Sequence, residues 1–221
     1  MKDIGFQRFY LIVLLGIITT FPTIKADDEY FTHNRAAFSG TLTSSDSYSL
    51  EMSYQYMSCK FVGVGGALGY WSNYYDDGWA SGSNWNIDED DNRPSNFYLR
   101  PSVVLKSPSV RFKQTQWCLY AEPGIMLNVP YQQVCIEKTQ NWTHTEYDYI
   151  STNKGQWFAI DVRLGINMDI GPCGFSAGYM MSNLDIYSQY RHLSYNCTTF
   201  EKFYPKKPFM QGAYLTLSYN F

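Results

Sequence analysis

The sequence predicts an all-β fold, namely an eight-stranded antiparallel up-and-down transmembrane β-barrel. Three observations predict it: apolar and polar residues alternate along eight segments, the apolar positions carry no charge, and long connections follow every second strand. Alternation with a period of two places successive side chains on opposite faces of a strand. We therefore expect one closed sheet with an apolar face and a polar face.

The alternation is clearest from Phe158 to Ile170, where even positions are apolar and odd positions are polar or small. The same pattern recurs in most of the other strands, and it is weaker in the glycine-rich segments 62–74 and 174–184 and in the short first strand. The predicted strands cover about residues 36–44, 48–57, 62–74, 96–106, 112–128, 156–170, 174–185 and 209–221. Connections after the second, fourth and sixth strands are short, whereas those after the third, fifth and seventh are long and polar. This asymmetry is typical of outer-membrane barrels.

The composition excludes several classes of protein. The chain has 17 Lys and Arg against 20 Asp and Glu, a net charge of -3, so nucleic-acid binding through bulk positive charge is excluded. Charged residues make up 17% and aromatic residues 18% of the chain, whereas soluble domains carry about 25% charged residues. After the N-terminal segment no stretch approaches the ~18 apolar residues of a membrane-spanning helix. A helical membrane protein is therefore excluded as well.

The N-terminal segment has the pattern of an export signal. Lys2 and Arg8 supply positive charge beside an apolar run from Phe9 to Phe21, and Ala26 offers a cleavage site. The run is shorter than the ~20 residues that a membrane anchor needs. We expect a signal peptide at residues 1–26 and a barrel domain at residues 27–221.

The five cysteines would then lie in an oxidising compartment, where disulfides persist. Cys135 and Cys197 both fall in long loops, and we expect a disulfide between them. The spacing offers no CxxC or Cys/His cluster of the kind that zinc requires. The sequence therefore predicts no metal site, and it contains no motif for a cofactor.

Alternation alone does not distinguish a soluble barrel from a membrane barrel. The polar faces carry chiefly Ser, Gly, Thr, Gln and Tyr, whereas a soluble barrel needs a charge-rich exterior. A charged residue facing lipid costs about 2–4 kcal/mol, so we expect the uncharged apolar face to point outward. Six charged residues would then lie in the lumen, and an eight-stranded barrel is just filled by its side chains. We interpret the following residues as a mutually neutralising network rather than an ion path: Glu51, Arg100, Glu122, Asp161, Arg163 and Asp169.

The export signal, the eight strands and the aromatic ending from Gly212 to Phe221 resemble the small outer-membrane β-barrel proteins of Gram-negative bacteria. The stretch from Phe61 to Tyr70 is similar to barrels of the Bacteroides group. The resemblance implies a monomer in the cell outer membrane, surrounded by its lipid. It also implies that the barrel-assembly machinery reads the last strand, although Thr216 replaces a glycine common in that signal. The residues of the implied signal are Leu215, Leu217, Tyr219 and Phe221.

Three functions remain open from the sequence. The first is a structural or surface-interaction role, with an unknown partner, through long loops above a filled bore. The second is an enzyme at the barrel rim, since His144 and His192 lie in long loops with Asp148 and Ser194 near them in sequence. The third is a secreted soluble barrel that binds an apolar ligand.

The segment from Asn86 to Asn92 sets oxygen ligands at alternate positions, as calcium loops do. It lacks the central glycine and the closing glutamate of such loops. We therefore interpret it as a solvated acidic loop.

Overall fold

The computed structural model describes residues 32–75, 78–141 and 144–221, so the predicted export signal lies outside the described residues. Eight antiparallel strands form a closed barrel in which each strand pairs with its neighbours in the chain, and the last strand pairs with the first. The predicted eight-stranded antiparallel up-and-down barrel is thus confirmed. The barrel strands, numbered β1 to β8, are Asn34–Thr43, Ser47–Met57, Val62–Asn73, Ser95–Lys106, Thr115–Asn128, Phe158–Ile170, Cys173–Ser182 and Met210–Asn220.

The connections follow the predicted asymmetry. At one end of the barrel, the turn end, short connections join β2 to β3, β4 to β5 and β6 to β7. The β4–β5 connection adds a short strand, Val110–Phe112, which pairs with the start of β5. At the loop end, three long connections follow β3, β5 and β7, and a three-residue turn joins β1 to β2. Asp46 in this turn has a left-handed φ of 55°, which Asp tolerates better than most residues.

The apolar positions of the barrel strands point outward. Met52 is 70% exposed, Phe158 65% and Leu68 58%, although such side chains are usually buried in soluble proteins. Their polar neighbours in sequence point into the bore. The barrel is therefore apolar outside and polar inside, as the uncharged apolar faces predict.

A row of small residues on β3 makes room inside the bore. A Cβ added to Gly69 would overlap the ring of Tyr98, which lies opposite it on β4. The bore is too narrow to hold two large side chains at this level. The large aromatic residue therefore lies over a glycine.

The three long connections fold together at the loop end. The strands Trp85–Ile87, Gln132–Asn141 and His144–Thr152 form an antiparallel three-stranded sheet with the second strand in the middle. The strands Ser194–Tyr195 and Thr198–Thr199 form a small hairpin, and three short 3-10 helices cover Asp90–Asn92, Tyr190–His192 and Phe200–Lys202. We call residues 78–94, 129–141, 144–157 and 183–209 the cap. No helix in the described part of the chain is long and apolar enough to cross a membrane.

Candidate functional site

Charged side chains from four strands meet inside the bore. Arg100 on β4 donates from Nε to Asp161 Oδ2 at 2.8 Å and from Nη1 to Glu122 Oε1 at 2.8 Å. Arg163 on β6 donates through Nη1 and Nη2 to the two oxygens of Glu51, at 2.9 and 2.8 Å. The side chains of these five residues are at most 5% exposed. Five of the six predicted lumen residues thus lie in one ion-pair network that crosslinks β2, β4, β5 and β6.

Neutral polar groups satisfy the remaining oxygens of this network. Glu122 accepts hydrogen bonds from Ser102 Oγ at 2.7 Å and from the Tyr120 hydroxyl, and Tyr98 donates to Glu51 Oε2 at 3.1 Å. A buried carboxylate is stable only when it is paired and hydrogen-bonded. The surrounding hydroxyls therefore help three carboxylates and two guanidinium groups to share a buried site inside the bore.

The sixth predicted residue, Asp169, belongs to a separate cluster nearer the turn end. Its oxygens accept from Asn167 Nδ2 at 2.7 Å and Asn220 Nδ2 at 3.2 Å. Arg35, which the sequence analysis missed, donates from Nη2 to Asn167 Oδ1 at 2.8 Å and to Ser176 Oγ at 3.1 Å. Its guanidinium also lies 5.6 Å from the ring centre of Tyr120, a residue that contacts the ion-pair network.

Apolar side chains fill the bore on the loop side of the ion-pair network. Met126, Met180 and Met210 lie between this network and the cap residue Leu184, around a cavity of about 10 Å³. Such a cavity has room for about one water molecule. Among the residues that the structure describes, side chains therefore fill the bore and leave no open channel.

The cap has an aromatic core of its own. Trp85 stacks on Phe200 with ring centres 5.8 Å apart, and Tyr190 packs edge-on against Tyr204 at 5.1 Å. Tyr187 receives a hydrogen bond from Asn73 Nδ2 on β3 at 2.7 Å. This core continues into the bore through Trp71 and the three methionines. The cap is thus an ordered cover packed onto the loop end of the barrel.

The interpretation of the segment from Asn86 to Asn92 as a solvated acidic loop was wrong for both of its ends. Its first two residues belong to the strand Trp85–Ile87, in which Ile87 is buried, and its last two bind other parts of the cap. Asp91 Oδ2 accepts the backbone N–H of Cys135 at 2.7 Å, and Asn92 Oδ1 accepts the Tyr204 hydroxyl at 2.6 Å. Asn92 is 1% exposed, whereas Glu89 and Asp90 face solvent. The segment therefore connects the cap sheet to the aromatic core.

Asp148 joins the cap sheet to the small hairpin. Asp148 pairs with Lys138 on the neighbouring strand and accepts the Tyr195 hydroxyl at 2.9 Å. The hydrogen bond from Lys138, followed by that from Tyr195, lowers the pKa of the Asp148 carboxyl. The carboxylate therefore stays ionised and keeps the two parts of the cap in contact.

We expect Tyr190→Phe to loosen the cap without unfolding the barrel. The Tyr190 hydroxyl donates to the carbonyl oxygen of Asp91 at 2.5 Å and accepts from Gln132 Nε2 at 3.3 Å. Losing a buried neutral hydrogen bond costs about 1 kcal/mol, so hydrogen exchange of the cap amides should become about fivefold faster. The control is Tyr147→Phe on the exposed face of the cap sheet, which should leave exchange unchanged. Equal exchange in both variants would contradict the role assigned to Tyr190.

The predicted disulfide between Cys135 and Cys197 is not formed, and the five cysteines are free thiols in the structure. Cys135 lies opposite Tyr149 in the cap sheet, whereas Cys197 is exposed at the turn of the small hairpin with a φ of 59°. The two loops meet through the aromatic core and the Asp148 contacts instead. The position of both cysteines in long loops was therefore not enough to predict a disulfide between them.

Of the two histidines in the rim-enzyme hypothesis, the structure describes the side chain of His192 alone. His192 is exposed, and its imidazole makes no hydrogen bond within the described residues. The side chain of His144 lies outside the described part. No group of three His, Cys, Asp or Glu side chains within the described ranges is placed to hold a metal ion.

The four residues of the implied assembly signal all point outward from β8. Leu215 is 57% exposed and Leu217 63%, and Tyr219 and Phe221 are 53% and 55% exposed. They form one continuous apolar row on the outer surface of the closing strand. Their recognition by assembly machinery stays a prediction.

Solved structures of outer-membrane barrel proteins resemble this fold. A major outer membrane protein from Thermus thermophilus matches with a TM-score of 0.48 and 10% identity, over 87% of this chain and 100% of that chain. Ail, the attachment invasion locus protein of Yersinia pestis, matches with 0.39 and 9%, over 86% and 99%. The outer membrane enzyme PagL matches with 0.43 and 8%, over 85% and 99%. No protein-family model and no curated protein sequence matches this chain.

Proposed function

We propose that this chain is a monomeric, integral outer-membrane barrel of a Gram-negative bacterium, and that it acts through surface contacts of its cap. The observation that carries the proposal is a belt of exposed apolar side chains around a barrel whose bore is filled. Soluble monomers rarely expose apolar patches larger than a few hundred Å². A belt that encircles the whole barrel is therefore best explained by contact with acyl chains. Origin in a Bacteroides-like organism stays a prediction from the resemblance.

Aromatic residues at both ends of the belt support this placement. Trp157 and Phe209 are 59% and 56% exposed near the loop end, and Phe112 and Tyr219 are 65% and 53% exposed near the turn end. Outer-membrane barrels carry such aromatic girdles at the two membrane interfaces.

The filled bore supports a role other than transport. The ion-pair network, the methionines and the aromatic core lie one above the other along the bore and leave a cavity of about 10 Å³. A solute would have to displace paired charges at a cost of several kcal/mol. The cap is then the part of the protein that is free to meet a partner.

Fractionation of a Gram-negative host that expresses the full chain tests the membrane placement. We expect the processed protein in the outer-membrane fraction and, because closed barrels resist detergent, different gel migration before and after boiling. We also expect no stepwise conductance in planar bilayers. A compact protein recovered from the aqueous supernatant without detergent would overturn the proposal.

A charge placed on the belt distinguishes lipid from water around the barrel. Leu164 on β6 points outward, and Leu164→Arg should lower the free energy of unfolding in lipid vesicles by about 2 kcal/mol. The matched control is Val129→Arg, which adds the same charge to an exposed position of the cap. Equal stability of the two variants would show that Leu164 does not face lipid.

A further inference from the structure

The strand His144–Thr152 forms an open edge of the cap sheet. It pairs with Gln132–Asn141 on one side, and no described residue pairs with its other side. An edge strand carries a row of unpaired N–H and C=O groups that another extended chain can use. This edge lies in the cap, away from the apolar belt.

The register identifies the backbone groups that face this edge. The N–H of Cys135 donates to Asp91 Oδ2 at 2.7 Å, and its carbonyl oxygen accepts the N–H of Asp88 at 2.9 Å. The backbone of Cys135 therefore points away from its partner, Tyr149. Because hydrogen-bonded and non-hydrogen-bonded pairs alternate in antiparallel strands, the backbone groups of Tyr149 and Tyr147 point toward the open edge.

The strand is held in place on one face and accessible on the other. Ile150 packs against the aromatic core, and Asp148 is bound by Lys138 and Tyr195. On the opposite face, Tyr147 is 56% exposed and Tyr149 68%. The edge is thus preorganised, and two large aromatic side chains beside it offer contact area at low entropic cost.

The strand lacks several of the usual protections of an edge strand. Natural edge strands are blocked by charged side chains, above all lysine, by proline or by a bulge. Residues 144–152 contain no Lys, Arg or Pro, and their charged side chains, Glu146 and Asp148, are acidic, so they disfavour pairing with an acidic segment but not with a basic one. The irregularity in pairing lies between Thr139 and Asn141, at the hairpin end. The middle of the strand is therefore open to pairing.

The charge of the cap sheet selects the kind of chain that it would pair with. Lys138 is the only Lys or Arg of the sheet strands and of the turn that ends at Asn92. The outer strand lies about 10 Å from the first strand, which is about one Debye length. Arg93 and Lys154 follow these segments closely, but seven acidic residues still outnumber the three basic ones, so the edge lies in a net negative field. The acidic residues that produce it are Asp88, Glu89, Asp90, Asp91, Glu137, Glu146 and Asp148.

We propose that a basic, extended polypeptide segment of a partner protein adds to His144–Thr152 as a fourth strand of the cap sheet. The backbone groups of Tyr147 and Tyr149 supply the hydrogen bonds, their rings pack against alternate side chains of the segment, and the acidic sheet attracts its lysines or arginines. This inference rests on the proposed function, because it requires the cap to be exposed at the surface.

Binding of labelled peptides to the full chain in lipid vesicles tests the proposal. The probe is a peptide of alternating lysine and valine, as long as the strand, and its counterpart has glutamate in place of lysine. We expect the basic peptide to bind at least about tenfold more tightly than the acidic one, with affinity that falls as salt rises. Failure of the basic peptide to bind at ~1 mM, or equal binding of the two peptides, would overturn the proposal.

Two changes separate backbone pairing from simple charge attraction. Tyr149→Pro removes an N–H that faces the open edge and leaves the pairing with Gln132–Asn141 intact, so it should weaken binding about tenfold. Tyr149→Ala, the matched control, keeps that N–H and should weaken binding less. Methylation of alternate backbone nitrogens of the basic peptide should abolish its binding to the unchanged protein, and undiminished binding would overturn the proposal. Gel migration before and after boiling, measured on the same vesicles, shows separately whether the membrane barrel itself is correct.

Discussion

Arg100→Leu is expected to lower the free energy of unfolding in lipid vesicles by about 3–5 kcal/mol, because it leaves buried carboxylates without their cation. Arg100 is 0% exposed and bridges Asp161, Glu122 and, at 3.5 Å, Glu51. Arg163 already bonds both oxygens of Glu51 and has Nε within 3.6 Å of Asp161, so in the variant it can compensate Asp161 in part but leaves Glu122 without its cation. The loss is measured by urea titration, in which the folded fraction at each urea concentration is read from the different gel migration of the folded and unfolded protein.

The double variant Arg100→Leu with Glu122→Gln tests whether charge is the cause. The glutamine side chain keeps an oxygen that can accept hydrogen bonds from Ser102 and Tyr120, but it removes one unpaired charge. The double variant should therefore recover part of the lost stability. Lys60→Leu is the control for removal of a positive charge, since Lys60 is exposed in the β2–β3 turn. Its effect should stay within about 0.5 kcal/mol. A loss of less than about 1 kcal/mol in Arg100→Leu would contradict a buried ion-pair network.

Gly178→Ala is expected to cost about 3 kcal/mol or to prevent refolding, because the strands meet too closely at this position. An added Cβ would overlap the carbonyl oxygen of Leu164 on the neighbouring strand, and backbone gives way less easily than a side chain. Gly178 pairs with Gly165 on β6 and with Tyr214 on β8. Refolding yield in detergent, read from gel migration, is the measurement.

Gly66→Ala is the matched control for this prediction. Gly66 lies on β3 with its missing side chain directed outward, and an added Cβ would meet nothing within 4 Å. Alanine at this position should leave stability unchanged or raise it by up to ~1 kcal/mol, because alanine lowers the conformational entropy of the unfolded chain. Similar yields for both variants would contradict the close approach of β6 and β7.

The barrel was predictable because its pattern is local. Period-two alternation placed every barrel strand within three residues of its observed ends, and the absence of charge on one face indicated the outward side. The main bore residue that the prediction missed lies at the start of β1. The predicted first strand began at residue 36, so Arg35 was left out, although its parity matches that of the inward residues Ser39 and Thr41.

The cap was not predictable because its contacts are not local. Its aromatic core joins residues from three connections, and each connection alone reads as polar loop. Short apolar alternations, such as Trp85 with Ile87 and Val134 with Ile136, were signals of the cap sheet. Two or three residues do not separate a strand from a loop, and no periodicity shows which loops will meet.

The bore combines two kinds of core that meet at the methionines. Charged and hydroxyl groups crosslink the strands below this level, whereas aromatic rings hold the loops above it. Substitutions in the loops therefore leave the ion pairs that hold the strands untouched. Such a division lets natural selection, or a protein engineer, exchange the recognition surface while the same scaffold continues to insert and close.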